Sequence, residues 1–390
     1  MIKTLDNENV FYGKDSLTNL TKIMESESAS NILLISSNKS FKTTGLESKL
    51  QILLKDKTLT IVNNFEINPK YEEIIQIGDE IKYKKIDLII AAGGGSVIDF
   101  AKCMNVYLSS WTSDGLDGII DKTLLPSNFL PMVAVPTTSG TGSEATHFAV
   151  VYIKGTKTSV SHKLLTPTYA IIDPSFTYGS PPYLSACCAF DALCQAIESF
   201  WSIGSTPDSQ KYAKDAILLI KNNIVKAINS DYVESRDKLS EGAYLAGKAI
   251  NISKTTAPHA LSYSLTSTFS IPHGHAVALT LGYFFEINEL NDSQIKVSES
   301  IDIDELKNNI LEIKSLLGWS DKNFLIEWKE LMTECGLYTS IQIDHEPKMF
   351  LKNLINSVNI ERLSNHPVQI EFESISDIYS KVLCYKPAYQ

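Results

Sequence analysis

Five residues between positions 191 and 275 carry side chains that bind metals or move protons. Asp191 and Gln195 lie four residues apart, so a helix would place both on one face. His259, His273 and His275 fall within 17 residues, although the whole chain has only seven histidines. One carboxylate and two imidazoles can bind a divalent cation and leave positions open for a substrate. The pattern predicts a metal site. A capping carboxylate and ordinary histidines remain the alternative, because a long stretch of sequence separates the two segments.

A glycine-rich segment in the first half is suited to bind a phosphate group. Segment 93–99 (GGGSVID) follows the apolar run 87–92, and its three glycines let the backbone approach a pyrophosphate closely. A helix beginning there would direct its first N–H groups at that anion, and Ser96 with Asp99 forms a start resembling a capping box. The spacing is neither GxGxxG nor the Walker pattern. An ordinary glycine-rich turn therefore stays open for this segment taken alone.

A second polar loop occupies residues 136–144 (PTTSGTGSE), directly after the apolar run 132–135. Five hydroxyl side chains beside two glycines, at the carboxyl end of a strand, suit the ligand crevice of an open α/β sheet. Plain loops also have this composition, but two such loops in one domain favour a ligand site.

The elements that must position these residues differ between the two halves of the chain. Short apolar runs at 31–36, 59–62, 87–92 and 132–135 alternate with helix-sized segments, which is typical of βαβ units and a parallel sheet. Runs 148–153 and 169–172 are two further strand candidates on either side of a loop, the pattern of a hairpin.

From about residue 181 the apolar spacing becomes helical. The predicted helices are 184–201, 209–228, 237–250, 275–288 and 302–317. Asp-Pro and Ser-Pro-Pro sequences between 173 and 182 break the chain. We therefore predict an α/β domain over 1–176 and an all-helical domain over 177–390.

Composition excludes several classes of protein. The chain has 390 residues, 44% of them apolar and 21% charged, which is ordinary for a globular protein of two domains. With 35 basic and 45 acidic residues its net charge is −10, which argues against nucleic acid or an anionic membrane as partner. None of the six cysteines has CxxC spacing, and the first residues show no apolar leader. We expect a cytoplasmic protein with reduced thiols.

The motifs together resemble the iron-containing, group III alcohol dehydrogenase family, which is related to glycerol dehydrogenase and dehydroquinate synthase. The matching segments occur in the family's order: GGGSVIDFAK at 93–102, PTTSGTGSE at 136–144, IIDPSF at 171–176, FDALCQAIESF at 190–200 and HALSY…IPHGHA at 259–276. The resemblance implies an N-terminal Rossmann-like dinucleotide-binding domain, a C-terminal helical domain, and a nicotinamide cofactor that meets a metal-bound alcohol or aldehyde.

The resemblance also implies roles for individual residues. The expected cofactor-binding residues, carried over by motif position, are Asn38, Gly94, Gly95, Ser96, Asp99, Thr137, Thr138, Ser143 and Lys157. Asp191, His259 and His273 match three of the family's four ligands for Fe²⁺ or Zn²⁺. A homodimer is the usual assembly of the family.

Three positions depart from the family pattern. Gln195 stands where a fourth, histidine ligand is usual, and an amide oxygen is the weaker donor for these metals. Asn38 replaces an acidic residue near the adenine ribose, which removes the electrostatic objection to the 2′-phosphate of NADPH. Tyr263 replaces a histidine four residues after the first histidine ligand, where it would donate a proton or only pack.

A narrower resemblance concerns the turn 251–259 (NISKTTAPH), in which Lys254 and Thr255 replace small neutral residues around a glycine. With the sequence that follows, it is similar to the phosphonoacetaldehyde reductase (2-hydroxyethylphosphonate dehydrogenase) branch. A cation and hydroxyl groups would neutralise a phosphonate by charge-assisted hydrogen bonds. A solvated surface lysine is the alternative.

The expected reaction is reversible hydride transfer between NAD(P)H and the carbonyl carbon of a small aldehyde, phosphonoacetaldehyde in the first instance. A bound metal would polarise the carbonyl; without one, His273, His275 or Tyr263 must donate the proton. An uncharged short-chain or sugar-derived aldehyde is the alternative substrate, and a nucleotide-binding protein without redox activity is the alternative class.

Overall fold

The computed structural model describes residues 2–5, 7–66, 68–110, 113–120, 129–154, 156–230, 232–289, 296–344, 348–358 and 360–385. The chain divides into two compact units, 1–180 and 181–390, so that the division lies four residues beyond the predicted boundary. Each unit is described by itself.

The first unit is an α/β structure. Its strands are β1 Lys3–Thr4, β2 Val10–Tyr12, β3 Asn31–Ser36, β4 Thr58–Val62, β5 Leu88–Gly93, β6 Met132–Pro136, β7 Phe148–Ile153, β8 Thr156–Ser161 and β9 Tyr169–Ile172. Its helices are α1 Asn19–Ser26, α2 Asn38–Thr43, α3 Leu46–Leu53, α4 Tyr71–Ile81, α5 Gly95–Ser110 and α6 Ser113–Ile120, with short 3-10 turns between some of them.

Seven of these strands form one sheet in the order β1-β2-β9-β6-β5-β3-β4. All neighbours are parallel except the β1–β2 pair. The strands are apolar at successive residues because both faces are covered: Leu33 and Ile35 pack into the core on one face, Ile32 and Leu34 into the core on the other. After β4 the chain returns to the centre for β5 and then proceeds to the other side for β6, so the order reverses between β3 and β5.

The predicted pairing of 148–153 with 169–172 is wrong. β7 pairs with β8 in a separate antiparallel hairpin, whereas β9 lies in the main sheet between β2 and β6. The two strands of the hairpin are separated by only two residues, and such a short connection favours pairing of consecutive strands. β2 and β8 were not among the predicted strands.

The second unit is helical. Its helices are α7 Pro182–Trp201, α8 Pro207–Asn229, α9 Val233–Ser253, α10 Ala257–Phe269, α11 His273–Asn288, α12 Ile303–Leu317, α13 Phe324–Glu334, α14 Lys348–Asn356, α15 Ile360–Leu363 and α16 Phe372–Val382. The short strands β10 Ile341–Ile343 and β11 Leu383–Tyr385 form a parallel pair, and Val297 and Val368 form an isolated antiparallel bridge.

Helix α7 lies at the centre of the second unit, packed against α8, α9 and α11. From Ala189 to Trp201 each of its residues is buried, including the polar ones. Buried polar groups on such a helix need partners or a ligand, which directs attention to this element. Among the described residues, no helix is both long and apolar enough to cross a bilayer.

Candidate functional site

The two polar loops of the first unit begin side by side at the carboxyl edge of the sheet. Gly93, the last residue of β5, pairs with Pro136, the last residue of β6. The N–H of Thr137 donates to the Gly93 carbonyl at 3.0 Å. The edge adjoins the reversal of strand order, where open α/β sheets bind their ligands.

Glycine is required where helix α5 begins. A Cβ on Gly95 would lie 2.6 Å from the Thr141 hydroxyl oxygen, so only glycine lets the two loops approach this closely. Gly94 and Ser96 flank it, half-buried at the first turn of α5. The N–H groups of this turn and the positive end of the helix dipole favour an anion here.

Two buried hydroxyl groups at this edge make no hydrogen bond with the described residues. Ser36, at the end of β3, is fully buried, and Thr137 is 2% exposed. Thr138 is adjacent and half-buried. Since buried polar atoms are normally bonded, such hydroxyls fit a polar ligand such as a dinucleotide.

Asp99 and Ser143 bind each other. The Ser143 hydroxyl donates to Asp99 at 2.6 Å, and the second carboxylate oxygen accepts from the N–H of Val150 at 2.9 Å. Burial raises the pKa of Asp99, while the charges of Lys102 and Lys157 oppose the rise. Asp99 therefore holds the second loop and hairpin β7–β8 in place, and Lys157 lies within electrostatic reach of it.

The buried side chain of Lys102 anchors the segment that follows the second loop. The Lys102 ammonium donates to the carbonyl and hydroxyl oxygens of Thr146 at 2.9 and 3.1 Å, and to the Phe148 carbonyl at 2.8 Å. Burial lowers the pKa of Lys102 to about 8 and raises that of Glu144 to about 7, against the mutual attraction of their charges. Asn38 is the first residue of α2, but its side chain lies outside the described residues.

Three predicted metal ligands converge in the second unit. Asp191 lies mid-way along α7, His259 in the first turn of α10, and His273 at the first position of α11. One ligand atom from each lies within 4.8 Å of the others. From Asp191 Oδ1 to the histidine Nε2 atoms the distances are 3.4 Å for His259 and 4.0 Å for His273.

The donor atoms of this cluster fit a cation. Asp191 Oδ1 and His259 Nε2 are buried and make no hydrogen bond with the described residues. Burial lowers the pKa of His259, but the charges of Glu198 and Asp191 outweigh it and raise the value to about 9. The cluster thus has an excess of negative charge, which a divalent cation would neutralise.

Close contact between α7 and α11 sets the spacing of the cluster. A Cβ on Gly274, next to His273, would lie 2.7 Å from the Cβ of Asp191 and nearer still to the Cys187 carbonyl oxygen. Gln195 is buried on α7, one turn beyond Asp191.

His275 lies apart from the cluster, with both ring nitrogens engaged by other groups. Its Nε2 donates to the Tyr338 carbonyl at 2.8 Å, which leaves Nδ1 to accept from the Tyr183 hydroxyl at 2.9 Å. Burial lowers its pKa, so the ring is neutral near pH 7. This arrangement holds α11 in place and does not suit a proton donor.

Tyr263 lies beside the cluster. Its ring centroid is 5.7 Å from that of His273, and it is hydrogen-bonded to the guanidinium of the buried Arg362. Burial raises the pKa of Tyr263, and the Arg362 charge opposes that rise.

Lys254 has an unusual backbone. It ends helix α9 with φ 61° and ψ 176°, a region that only glycine adopts readily. Its side chain is exposed, while Thr255 is buried. The Asn365 amide donates to the carbonyls of Ser253 and Thr255 at 2.8 and 3.1 Å and so fixes the turn.

Comparison with protein families decides the identification. The model of the iron-containing alcohol dehydrogenase family matches residues 7–174, and that of the C-terminal domain of the same family matches residues 185–381. The chain belongs to the iron-containing alcohol dehydrogenase family.

Curated relatives carry several substrate names. The chain is 38% identical to long-chain-alcohol dehydrogenase 1 of Geobacillus thermodenitrificans, over 51% of each sequence, so this alignment spans about half of that relative. It is 30% identical to an NADPH-dependent butanol dehydrogenase of Clostridium saccharobutylicum, over 72% of each. It is 27% identical to a phosphonoacetaldehyde reductase of Streptomyces viridochromogenes, over 78% of each.

Solved structures of the family share the fold over nearly the whole chain. An iron-containing alcohol dehydrogenase from Thermotoga maritima has a TM-score of 0.83 at 27% identity, covering 98% of this chain and 99% of its own. Sulfoacetaldehyde reductase from Bifidobacterium kashiwanohense, in complex with NAD⁺, has a TM-score of 0.83 at 27% identity, covering 98% of both chains. The predicted family, fold class and enzyme class are confirmed.

Three residues around the cluster of this alcohol dehydrogenase were missed from the sequence. Glu198 bonds to His259, Ser262 to His273, and Arg362 to Tyr263. A signal existed for Glu198 alone: it lies seven residues after Asp191 and so shares its face of α7. Ser262 and Arg362 gave no signal, because a single serine or arginine is ordinary in any sequence.

Proposed function

We propose that this alcohol dehydrogenase reduces phosphonoacetaldehyde to 2-hydroxyethylphosphonate, reversibly and with NAD(P)H. The observation that carries the proposal is the convergence of Asp191, His259 and His273 from three helices of the second unit. When bound, the reduced nicotinamide supplies the hydride, and a divalent cation held by these three residues supplies a Lewis acid that polarises the carbonyl.

We assign the dinucleotide to the carboxyl edge of the first unit. The N–H groups at Gly94, Gly95 and Ser96 would bind its pyrophosphate, and the unbonded hydroxyls of Ser36 and Thr137 would bind neighbouring oxygens. Thr138 would line the same edge. Asp99, Ser143 and Lys157 would act by fixing the second loop, because Asp99 and Ser143 already bond to each other.

We assign the proton to Tyr263. The reduced carbonyl oxygen must gain a proton, and the Tyr263 hydroxyl is held by Arg362 beside His273. The guanidinium stabilises the phenolate that remains after transfer. We assign His275 to positioning α11, because both of its ring nitrogens are bonded within the protein.

The backbone of Lys254 supports an anionic substrate. A lysine at φ 61° costs about 1–3 kcal/mol relative to an unstrained residue, and strain of this kind persists mainly at functional sites. An exposed ammonium one residue before Thr255 would bind a phosphonate by a charge-assisted hydrogen bond. The relatives named for phosphonoacetaldehyde and sulfoacetaldehyde reduction support an anionic two-carbon aldehyde.

An uncharged alcohol is the second candidate substrate. The relatives named for long-chain alcohols and butanol are more identical to this chain than the phosphonoacetaldehyde reductase is. In this case Lys254 would be a surface cation without a substrate role.

The proposal also covers the cofactor preference, the oligomeric state and the cellular location. The absence of an acidic residue at Asn38 favours NADPH, and Asn38→Asp should shift the preference toward NADH. We propose a homodimer in the cytoplasm on the strength of the family resemblance. Light scattering of the purified protein and cell fractionation test these two points.

A substrate panel tests the function. Purified enzyme, loaded with Fe²⁺ or Zn²⁺, is assayed with phosphonoacetaldehyde, sulfoacetaldehyde and butyraldehyde, each with NADH and NADPH. We expect Lys254→Met to raise the KM for phosphonoacetaldehyde at least tenfold and to leave butyraldehyde unchanged. Lys248→Met, on the same helix, is the matched control and should change neither.

The possible results separate the candidates. Preference for butyraldehyde, with no effect of Lys254→Met on any substrate, would overturn the phosphonate proposal in favour of the uncharged alcohol. Nucleotide binding without turnover of any aldehyde would identify a protein that has lost redox activity.

A further inference from the structure

A fully buried carboxylate lies directly behind the ligand cluster. Glu198 is 0% exposed, and its two oxygens face different partners. Oε2 accepts from the N–H of Thr256 at 2.7 Å and from its hydroxyl at 2.8 Å. Oε1 is hydrogen-bonded to Nδ1 of His259. A carboxylate accepts only, so the proton of this last bond belongs to His259 Nδ1.

His273, like His259, is oriented by a hydrogen bond at its Nδ1 atom. The Ser262 hydroxyl donates to the His259 carbonyl at 2.8 Å, and its oxygen lies 3.2 Å from His273 Nδ1. Since the hydroxyl proton is already used, the oxygen accepts from Nδ1–H. Both imidazoles therefore carry a proton on Nδ1, and when neutral they present the lone pair of Nε2 to Asp191.

We propose that Glu198 and Ser262 are positioning residues that fix the tautomer and orientation of His259 and His273 and thereby set the affinity of the cluster for a divalent cation. The inference rests on the proposed function only in taking the cluster to be a metal site. Carboxylate and hydroxyl partners behind ligating histidines commonly control metal affinity, and their loss costs about 10- to 100-fold. Glu198 also adds negative charge at a site with Gln195 in place of a histidine.

The substitution Glu198→Gln tests the proposal sharply, because the geometry dictates how the amide must lie. Two donors of Thr256 require an oxygen at the position of Oε2. The amide nitrogen must then face His259 and donate to Nδ1, which moves the imidazole proton to Nε2. A protonated Nε2 cannot bind a metal, although the side chain keeps its shape.

Two further variants separate the positioning of the histidines from a general loss of contacts around Glu198. Thr256→Val removes a hydroxyl that donates to Glu198 and accepts from the Trp201 indole N–H, but it leaves the Glu198 bond to His259, so it reports the loss of those other contacts. Ser262→Ala removes the acceptor for His273 without introducing a buried charge or added bulk, and it keeps the proposal testable if Glu198→Gln does not fold.

The experiment measures Zn²⁺ affinity of the full-length apoprotein by competition with a chromophoric chelator, and the histidine tautomers by ¹⁵N NMR. We expect Glu198→Gln to lower the affinity 10- to 100-fold and to move the His259 proton from Nδ1 to Nε2. Ser262→Ala should lower the affinity severalfold, and Thr256→Val should leave it within twofold while lowering the Tm.

Wild-type affinity in Glu198→Gln would overturn the proposal, and so would an equal loss in Thr256→Val. If Glu198→Gln does not fold, equal affinities of Ser262→Ala and Thr256→Val would overturn it. Aldehyde turnover is measured separately. Normal Zn²⁺ binding by the wild type, without reduction of any aldehyde, would refute the proposed function and leave the role of Glu198 standing.

Discussion

The close approach of α7 and α11 at Gly274 predicts that one methyl group will separate the proposed metal ligands. In Gly274→Ala the new Cβ lies 2.7 Å from Asp191 Cβ, while ordinary carbon contacts lie at about 3.5–4.0 Å. The obstacle includes the backbone at Cys187, which no side-chain rotation removes. The helices must therefore move apart by about 1 Å or more, at a cost of about 1–3 kcal/mol.

The displacement matters more for the cluster than for folding. Asp191 Oδ1 and His273 Nε2 are 4.0 Å apart. Two atoms that bind one ion at about 2.1 Å are at most about 4.2 Å apart, so a shift of about 1 Å prevents simultaneous binding. Replacing glycine by alanine within a helix returns up to about 1 kcal/mol, so the folded state persists.

Equilibrium dialysis with Zn²⁺ and calorimetric melting check the prediction. We expect Gly274→Ala to lower Zn²⁺ affinity at least tenfold with a modest fall in Tm. Gly282→Ala, on the same helix, is the control, because its Cβ meets the movable end of Leu325 at 2.7 Å and the Trp328 side chain. Wild-type Zn²⁺ affinity in Gly274→Ala would refute the reasoning.

Three other predictions follow from single residues. Lys254→Gly should raise stability by about 1 kcal/mol in urea unfolding, since it removes the strain at φ 61° while adding entropy to the unfolded chain; lower stability would contradict the strain. The pKa of Glu144 is about 7 in the folded protein, whereas its ordinary value is 4.5. As the pH rises, this carboxyl group therefore loses its proton in the unfolded chain before it does so in the folded protein. The free energy of unfolding should fall by up to about 3 kcal/mol between about pH 4.5 and 7. Glu144→Gln should therefore gain stability over the wild type at pH 8 but not at pH 4.5, and a difference independent of pH would contradict this. His275→Phe should lose about 1–3 kcal/mol by leaving the Tyr338 carbonyl without its donor, yet keep wild-type Zn²⁺ affinity; a large loss of affinity would show that His275 belongs to the metal site.

The fold class followed from the sequence because both periodicities were visible. Residues 31–36, 169–172 and 302–317 were predicted as regular elements and are β3, β9 and, from residue 303, α12. β2 and β8 were missed, since β2 has only three residues and β8 has the polar sequence TKTSVS. Short or polar strands are defined by their neighbours in the sheet, which local pattern does not contain.

Asp191, His259 and His273 were predicted as metal ligands from residue types and the family resemblance, yet their geometry depends on tertiary contacts. Glu198 and His259 are 61 residues apart, and only packing of α10 on α7 joins them. The catalytic role of His275 stays a prediction, and helix geometry alone argues against it. Two residues apart on α11, His273 and His275 point about 160° away from each other around the helix, so one faces the cluster and the other faces Tyr338.

Hydrogen exchange of the Thr256 amide would report cation binding at the site without direct observation of the ion or the reaction. This N–H is buried and donates to the carboxylate that also holds His259, so it meets solvent only when the start of α10 opens. A cation that binds the closed form alone raises the free energy of this opening by about 1.4 kcal/mol for each tenfold excess over its Kd. Deuterium uptake at this backbone position should therefore slow by the factor 1 + [L]/Kd, where [L] is the free cation concentration.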